Sequence, residues 1–149
     1  MSSKALALPL LALAIAAPAV LAIAVPARAA DPPGVERGVR LFEEGHDAEA
    51  RAALMPVATT KPPSATAAFT LGRIAMRADD AKEAERWFEV AVKLEDRNSN
   101  YHFWLGRACG AQAQRANKIS QAFLAKRTKA EFDRAVALDP DNLDARNGL

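Results

Sequence analysis

Cysteine and histidine are almost absent from the chain. Among its 149 residues Cys109 is the single cysteine, and the two histidines are His46 and His102. A lone cysteine cannot close an internal disulfide, so we expect Cys109 to be a small packing residue on a helix. His102 and Cys109 would lie about 10 Å apart along a helix axis, which is too far for one metal ion. We therefore expect neither a metal site nor a cofactor.

The chain also lacks the residue constellations that catalysis requires. It has no glycine-rich phosphate loop. The serines Ser64, Ser99 and Ser120 each stand before a helical apolar pattern, where helix capping explains them. The paired acids Glu43-Glu44 and Asp79-Asp80 fall at helix ends or turns, which favours capping and solvated surface over acid–base chemistry. We expect no enzymatic activity.

Aromatic residues are few, at 6% of the chain, whereas half of the residues are apolar and alanine is prominent. A β-sandwich would use more Val, Ile, Thr and Tyr, so this composition favours closely packed helices. The length allows one domain with a core of its own.

The N-terminal stretch from Met1 to Ala30 contains no acid and has the pattern of an export signal. An apolar run from Ala5 to Val25 follows Lys4, and the small residues Ala27 and Ala29 fit an A-x-A cleavage site. We predict a cleaved signal peptide over 1–29 and a mature domain over 30–149 that is periplasmic or secreted. The alternative is a retained membrane anchor, which the alanine and proline content of the run disfavours.

The charge balance gives little support to a nucleic-acid partner. The chain has 20 basic and 18 acidic residues, but two of the basic ones belong to the predicted signal, so the mature domain is formally neutral. The charge is nevertheless uneven, because no acid occurs from Asn98 to Ala130. Five basic residues of this stretch form a candidate basic patch: Arg115, Lys118, Lys126, Arg127 and Lys129.

Three glycines, Gly38, Gly72 and Gly106, recur at one fixed spacing, and the later two stand in the same tripeptide, Leu-Gly-Arg. Glycine inside a helix costs about 1 kcal/mol relative to alanine, so three glycines in phase need a reason. Close contact between packed helices supplies one. The spacing is also the period that is typical of stacked helix–turn–helix repeats.

Helical periodicity places two helices in each repeat, over 31–64, 65–98 and 99–142. Asp80 and Glu83 match a capping box at the start of the fourth helix. The third repeat has roughly ten extra residues between its halves. Its first helix is expected to run to about Ala116, with a cap at Ser120 for the second.

Residues 143–149 are predicted to begin a seventh helix. A terminal repeat normally needs a helix with a polar outer face to close the stack, and these residues are too few for one. We expect either a truncated sequence or an open end that self-associates or is covered by another molecule.

These patterns resemble the tetratricopeptide repeat (TPR) family, whose units carry Leu-Gly in the first helix and Ala, an aromatic, Ala and Pro later. Arg37 stands where leucine is expected, Leu54 replaces one aromatic, and Asp96 replaces one proline. The resemblance implies an all-α fold: three antiparallel helix pairs in a short right-handed solenoid, the third pair elongated, plus the start of a seventh helix. The residues expected to pack the repeats are Gly38, Ala50, Leu71, Gly72, Ala84, Phe88, Ala91, Trp104, Leu105, Gly106, Phe132, Ala135 and Pro140.

In this family the first helix of each pair lines the concave face, which implies a binding groove. Phe69 and Arg73 lie one turn apart on such a helix, and Phe103 and Arg107 repeat them one period later. The planar guanidinium group of arginine can form two parallel hydrogen bonds with a carboxylate. The implied ligand is therefore a segment with acidic and apolar residues. The competing interpretation is that the rings are core and the arginines pair with neighbouring acids. The expected groove residues are Val39, Phe42, Phe69, Arg73, Met76, Arg77, Phe103 and Arg107.

The tripeptide Gly106-Arg107-Ala108 and the run from Glu131 to Pro140 make the third repeat resemble that of small exported bacterial TPR proteins. The resemblance implies a non-catalytic, protein-binding adaptor of the bacterial cell envelope. Two alternatives stay open at this point: a membrane-surface protein held by the basic patch, and a fragment whose activity lies beyond Leu149.

Overall fold

The structure is a computed structural model and describes residues 31–148; the predicted signal peptide over 1–29 lies outside the described residues. The described part of the chain consists of helices and turns, and each helix packs mainly on its neighbours in sequence. The predicted all-α fold of three helix pairs and the start of a seventh helix is confirmed. The helices are α1 Val35–Glu43, α2 Asp47–Thr59, α3 Ala65–Arg77, α4 Ala81–Leu94, α5 Ser99–Ala113, α6 Lys118–Leu138 and α7 Leu143–Asn147.

The periodic glycines mark the closest contact inside each helix pair. A Cβ added to the glycine would lie 2.5 Å from the phenylalanine ring in the second pair and 2.7 Å in the third. Real Cβ contacts are longer, so these positions admit only glycine while the large side chain stays in place. The contacts are Gly38–Leu54, Gly72–Phe88 and Gly106–Phe132.

The third pair keeps this contact and is longer at its turn. The separation in sequence between Gly106 and Phe132 is ten residues longer than the separation between Gly72 and Phe88. The extra residues lengthen both helices, and α6 has 21 residues where α4 has 14. α5 has 15 residues where α3 has 13, so most of the added length is in α6. At 1.5 Å per residue, the added residues of α6 place its start about 10 Å farther from the shared glycine–phenylalanine contact than the start of α4. We call this extension, residues 112–124, the overhang.

The start of the overhang differs from the prediction. α5 ends at Ala113 and not near Ala116. Asn117, and not Ser120, caps α6, because its side-chain oxygen accepts a hydrogen bond from the Ser120 backbone N–H at 3.0 Å. Asparagine caps helices as well as serine does, so α6 begins earlier than predicted.

Two other capping predictions are corrected. Ser64 caps α3, but Ser99 is the first residue of α5 and donates its hydroxyl to the Ala135 carbonyl oxygen at 2.9 Å. Asp80 accepts from the Glu83 N–H at 2.9 Å, but the Glu83 carboxylate does not close the box. It pairs instead with Arg51 on α2, a stronger, charge-assisted partner.

Eleven of the thirteen residues expected to pack the repeats are buried. Pro140 is exposed in the turn after α6 and has no packing role there. Trp104 is half-buried and belongs to the site described next.

Candidate functional site

Arg73 connects the first helices of all three pairs. Its guanidinium carbon lies 4.7 Å from the ring centre of Phe42 on α1, 5.9 Å from Phe69 on α3 and 5.1 Å from Trp104 on α5. Cation–π attraction acts within about 6 Å of a ring centre. The helices α1, α3 and α5 therefore share one surface, which we call the odd-helix face.

Arg107 repeats this arrangement one period later. Its guanidinium carbon lies 5.8 Å from the Phe103 ring centre, close to the 5.9 Å between Arg73 and Phe69. It also lies 4.5 Å from Trp104, so this indole is shared by two guanidinium groups. The sequence prediction treated Trp104 only as a packing residue. The one signal for its role is a break in the period, since Thr70 occupies the same place in the second repeat.

Arg77 is held by the turn of the first pair. Its guanidinium carbon lies 4.0 Å from the Phe42 ring centre. It donates hydrogen bonds to the Phe42 carbonyl oxygen at 3.2 Å and to the Asp47 carboxylate at 2.5 Å. For this residue the competing interpretation, pairing with a neighbouring acid, holds.

Arg73 and Arg107 differ from Arg77 because neither forms an ion pair with any acid of residues 31–148. The Nε of Arg73 is buried and has no hydrogen-bond partner there. Burial lowers the pKa of Arg73, and the charge of Arg77 lowers it further. Glu43 acts in the opposite direction, and Arg107 lowers the pKa by a smaller amount. The positive charge is thus held at a free-energy cost that a bound anion would relieve.

The aromatic residues predicted to line the groove lie mostly beneath the surface of this face. Phe42 and Phe103 are buried, and Phe69 is half-buried within the core. Val39 and Met76 are also half-buried against the core. The side chains of this face that stay at least partly exposed include Arg73, Arg77, Arg107 and Trp104.

The basic patch is largely neutralised by acids of α4, of the turn before it and of α6 itself. The acid-free stretch of sequence packs against a helix rich in acids, and three of its five members form ion pairs. The pairs are Arg115 with Asp79, Arg127 with Glu85 and Glu89, and Lys129 with Asp133. Lys118 and Lys126 remain without an ion pair among residues 31–148.

His102 is buried, with both ring nitrogens facing acceptors. Nδ1 lies 2.7 Å from a Glu131 carboxylate oxygen on α6, and Nε2 lies 2.9 Å from the Asp96 carbonyl oxygen in the α4–α5 loop. Only the imidazolium can donate to both. The hydrogen bond with Glu131 raises the pKa of His102 and outweighs the opposite effect of burial. The histidine therefore has a structural role, since it links α5 to α6 and to the α4–α5 loop.

Cys109 is a buried packing residue, as predicted. Burial, assisted by the Glu85 carboxylate, raises its pKa to about 12, so the thiol is not a nucleophile at neutral pH. Within residues 31–148 no group of His, Cys, Asp and Glu is arranged to hold a metal ion. Over the same residues, no helix combines the length and apolar character that crossing a bilayer requires.

No family model matches the sequence, and no curated protein matches it either. Among solved structures, the chain is similar to the first TPR domain of Spaghetti (RPAP3), which was solved with the HSP90 peptide SRMEEVD. The two are 21% identical, the match covers 75% of this chain and 81% of that one, and the TM-score is 0.64. At this identity the likeness concerns the fold alone. The chain has the fold of a tetratricopeptide-repeat domain, as its glycine period predicted.

Proposed function

We propose that the protein is a non-catalytic adaptor that binds an acidic segment of another protein on its odd-helix face. The observation that carries this proposal is Arg73, a partly buried cation that has no acid partner among the described residues and an unsatisfied Nε. A protein surface rarely keeps such a group without a ligand, because an unmade buried hydrogen bond costs about 1–3 kcal/mol.

We expect a carboxylate to bind between the two repeated arginines. Arg73 and Arg107 both lie against Trp104, so an acidic side chain beside this indole reaches two guanidinium groups. Their forked donors bind a carboxylate through two hydrogen bonds, and partial burial strengthens the attraction. The aromatic residues beneath the surface hold the arginines in place, which reduces the ordering entropy lost on binding.

The comparison supports the same class of ligand. The similar TPR domain was solved with SRMEEVD, a peptide with three acidic side chains. The basic patch gives less support to the membrane-surface alternative, because most of its charges are already paired. The adaptor function is therefore favoured.

A phage-displayed heptapeptide library tests the binding face. The wild-type protein should enrich peptides with Asp or Glu beside apolar residues, and the double variant Arg73→Ala/Arg107→Ala should lose this enrichment. For an enriched peptide, fluorescence anisotropy should give a dissociation constant at least about tenfold higher in that variant.

The matched control is Arg86→Ala/Arg97→Ala, which removes two arginines outside the odd-helix face. It should retain wild-type enrichment. Enriched peptides without acids, or equal enrichment by the Arg73→Ala/Arg107→Ala variant, would contradict the proposal.

We further propose that the adaptor works in the bacterial cell envelope after export. The support is the signal pattern over 1–29. Fractionation of the native host followed by N-terminal sequencing should give a soluble periplasmic chain that begins at Ala30 or Asp31. A membrane-bound chain that still begins at its original N-terminus would contradict it.

A further inference from the structure

The overhang creates a second concave surface, separate from the odd-helix face. Because the third pair projects past the second, a cleft of about 770 Å³ lies in the step between them. One wall is the α3–α4 turn, residues 79–82, and the other consists of side chains from the overhang. Sites that bind ligands usually have about 300–1,000 Å³. We call this surface the step cleft.

Two large apolar side chains of α6 lie exposed in the step cleft. Ile119 is 87% exposed and Phe123 is 69% exposed, and both line the cleft. They stand four residues apart, so they form a ridge on one side of the helix. Scattered exposed apolar residues are ordinary, but an adjacent pair lining a cleft is typical of an interaction site. Ala81 and Ala116 add apolar lining to the same cleft.

The geometry favours a helical occupant over an extended one. The walls are helices and a helical turn, so an extended chain would find no strand edge in them and would bury unsatisfied backbone groups. A helix forms its backbone hydrogen bonds internally and leaves few of these groups unsatisfied. A ridge of side chains at i and i+4, such as Ile119 and Phe123, is the element that packs into the groove of another helix.

The free charge around the step cleft is positive. Lys82 on one wall and Lys118 beside the other form no ion pair among residues 31–148. The acids of the cleft are engaged, since Asp79 pairs with Arg115 and Asp80 caps α4. An occupant with acidic residues beside its apolar ones would complement this charge. An anionic lipid surface fits less well, because the carboxylates of Asp79 and Asp80 line the cleft.

We propose that the step cleft docks an amphipathic helix of a partner protein. Apolar residues one turn apart would contact Ile119 and Phe123, and flanking acids would lie near Lys82 and Lys118. The site is independent of the odd-helix face, so one copy of the protein could hold two segments at once.

The test uses a designed, fluorescein-labelled peptide of about 16 residues, long enough to be helical in isolation. It carries leucines at i, i+4 and i+7, glutamates beside them and alanine elsewhere. We expect wild-type protein to bind it by fluorescence anisotropy. The Ile119→Ser/Phe123→Ser variant should bind at least about tenfold more weakly.

Three controls define the site. Leu143→Ser changes another exposed apolar residue, 64% exposed and outside the cleft, and should bind as wild type. Arg73→Ala/Arg107→Ala should also bind as wild type, so that failure here is distinguishable from failure of the odd-helix face. A peptide with lysine in place of glutamate should bind more weakly at low salt, and the difference should shrink as salt screens the lysines.

The proposal is overturned if the serine double variant binds the acidic peptide as tightly as wild type. It is also overturned if wild-type protein binds vesicles of phosphatidylcholine and phosphatidylglycerol and the serine substitutions abolish that binding, which would identify a lipid surface as the occupant. A wild-type dimer in sedimentation velocity that the same variant converts to a monomer would overturn it too, by identifying a second copy as the occupant.

Discussion

The second and third helix pairs share one packing contact and differ in what they build around it. In both pairs a phenylalanine of the second helix lies against a glycine of the first, at virtual Cβ distances of 2.5 and 2.7 Å. The ten extra residues of the third pair leave this contact intact and extend the turn beyond it. An insertion at the turn of a repeat can therefore add a new surface without disturbing the stack.

The two pairs also differ at the position beside that contact. The third pair has His102 and Glu131 hydrogen-bonded to each other, whereas the corresponding residues of the second pair are Ala68 and Trp87. A charged hydrogen bond thus replaces an apolar contact at the same place in the repeat. Because this hydrogen bond involves the charged form of His102, the stability of the third pair depends on pH.

Truncating the phenylalanine that packs on the glycine of its pair should have the largest effect on the free energy of unfolding. Phe88→Ala should lower the free energy of unfolding by about 3–5 kcal/mol, because the ring is fully buried between α3 and α5. Phe132→Ala should cost a similar or somewhat smaller amount, measured by urea denaturation. Phe123→Ala, on the overhang, should change stability by less than about 0.5 kcal/mol. If Phe123→Ala cost as much as Phe132→Ala, the placement of the extra residues would be wrong.

Alanine substitutions of two glycines should have opposite signs. Gly72→Ala forces a Cβ against the Phe88 ring and should destabilise by about 1–3 kcal/mol. Gly110→Ala meets only Thr128, at an ordinary 3.6 Å, and should stabilise α5 by up to about 1 kcal/mol. Thermal unfolding of the two variants beside wild type gives both signs in one experiment. Equal effects would mean that the glycine period does not mark the helix contacts.

Raising the pH should weaken the third pair through His102. Its folded-state pKa is raised, so the stabilisation is complete below the ordinary histidine pKa of about 6.5 and is lost as pH rises through the folded-state value. The facing groups are Glu131 on α6 and Asp96, which also pairs with Arg134. Urea midpoints above the ordinary histidine pKa should therefore fall in wild type relative to His102→Gln. Glu131→Gln should reduce this dependence, and a relative rise with pH would contradict the assignment.

A small effect is expected at the turn of the second pair. Gly45 in the first pair has a φ of 87°, and Asp79, one period later, has a φ of 63°. This left-handed conformation is strained for a residue with a Cβ. Asp79→Gly should stabilise by less than about 1 kcal/mol, since it also removes the exposed pair with Arg115. Asp79→Ala keeps the strain and loses the pair, so calorimetry should show a slightly lower melting temperature for it.

The fold was predictable because its signals are local and repeated. The glycines cost helix stability wherever they occur, so their fixed period pointed to helix contacts before any contact was known. Proline and glycine at the turns placed most helix ends within a few residues. The start of α6 was missed because Asn117 and Ser120 are both good caps, and only the structure shows which one is used.

The candidate site was only partly predictable, because ion pairing depends on which helices become neighbours. Arg73, Arg77 and Arg107 look alike in the sequence, but within residues 31–148 only Arg77 of the three forms an ion pair, with Asp47. Arg127 finds its partner Glu85 far away in sequence, across the stack. The role of Trp104 was missed because a residue that departs from the repeat carries no periodic signal.

Shortening the third pair tests the central claim most directly, because the odd-helix face should work without the overhang. Replacing residues 112–124 with the Ala-Asp-Asp turn of the second pair removes the ten extra residues and should leave a cooperatively folded protein. We expect the shortened chain to bind a library-selected acidic peptide with a dissociation constant within about twofold of wild type. Loss of that binding in a chain that still unfolds cooperatively would contradict the separation of the two surfaces.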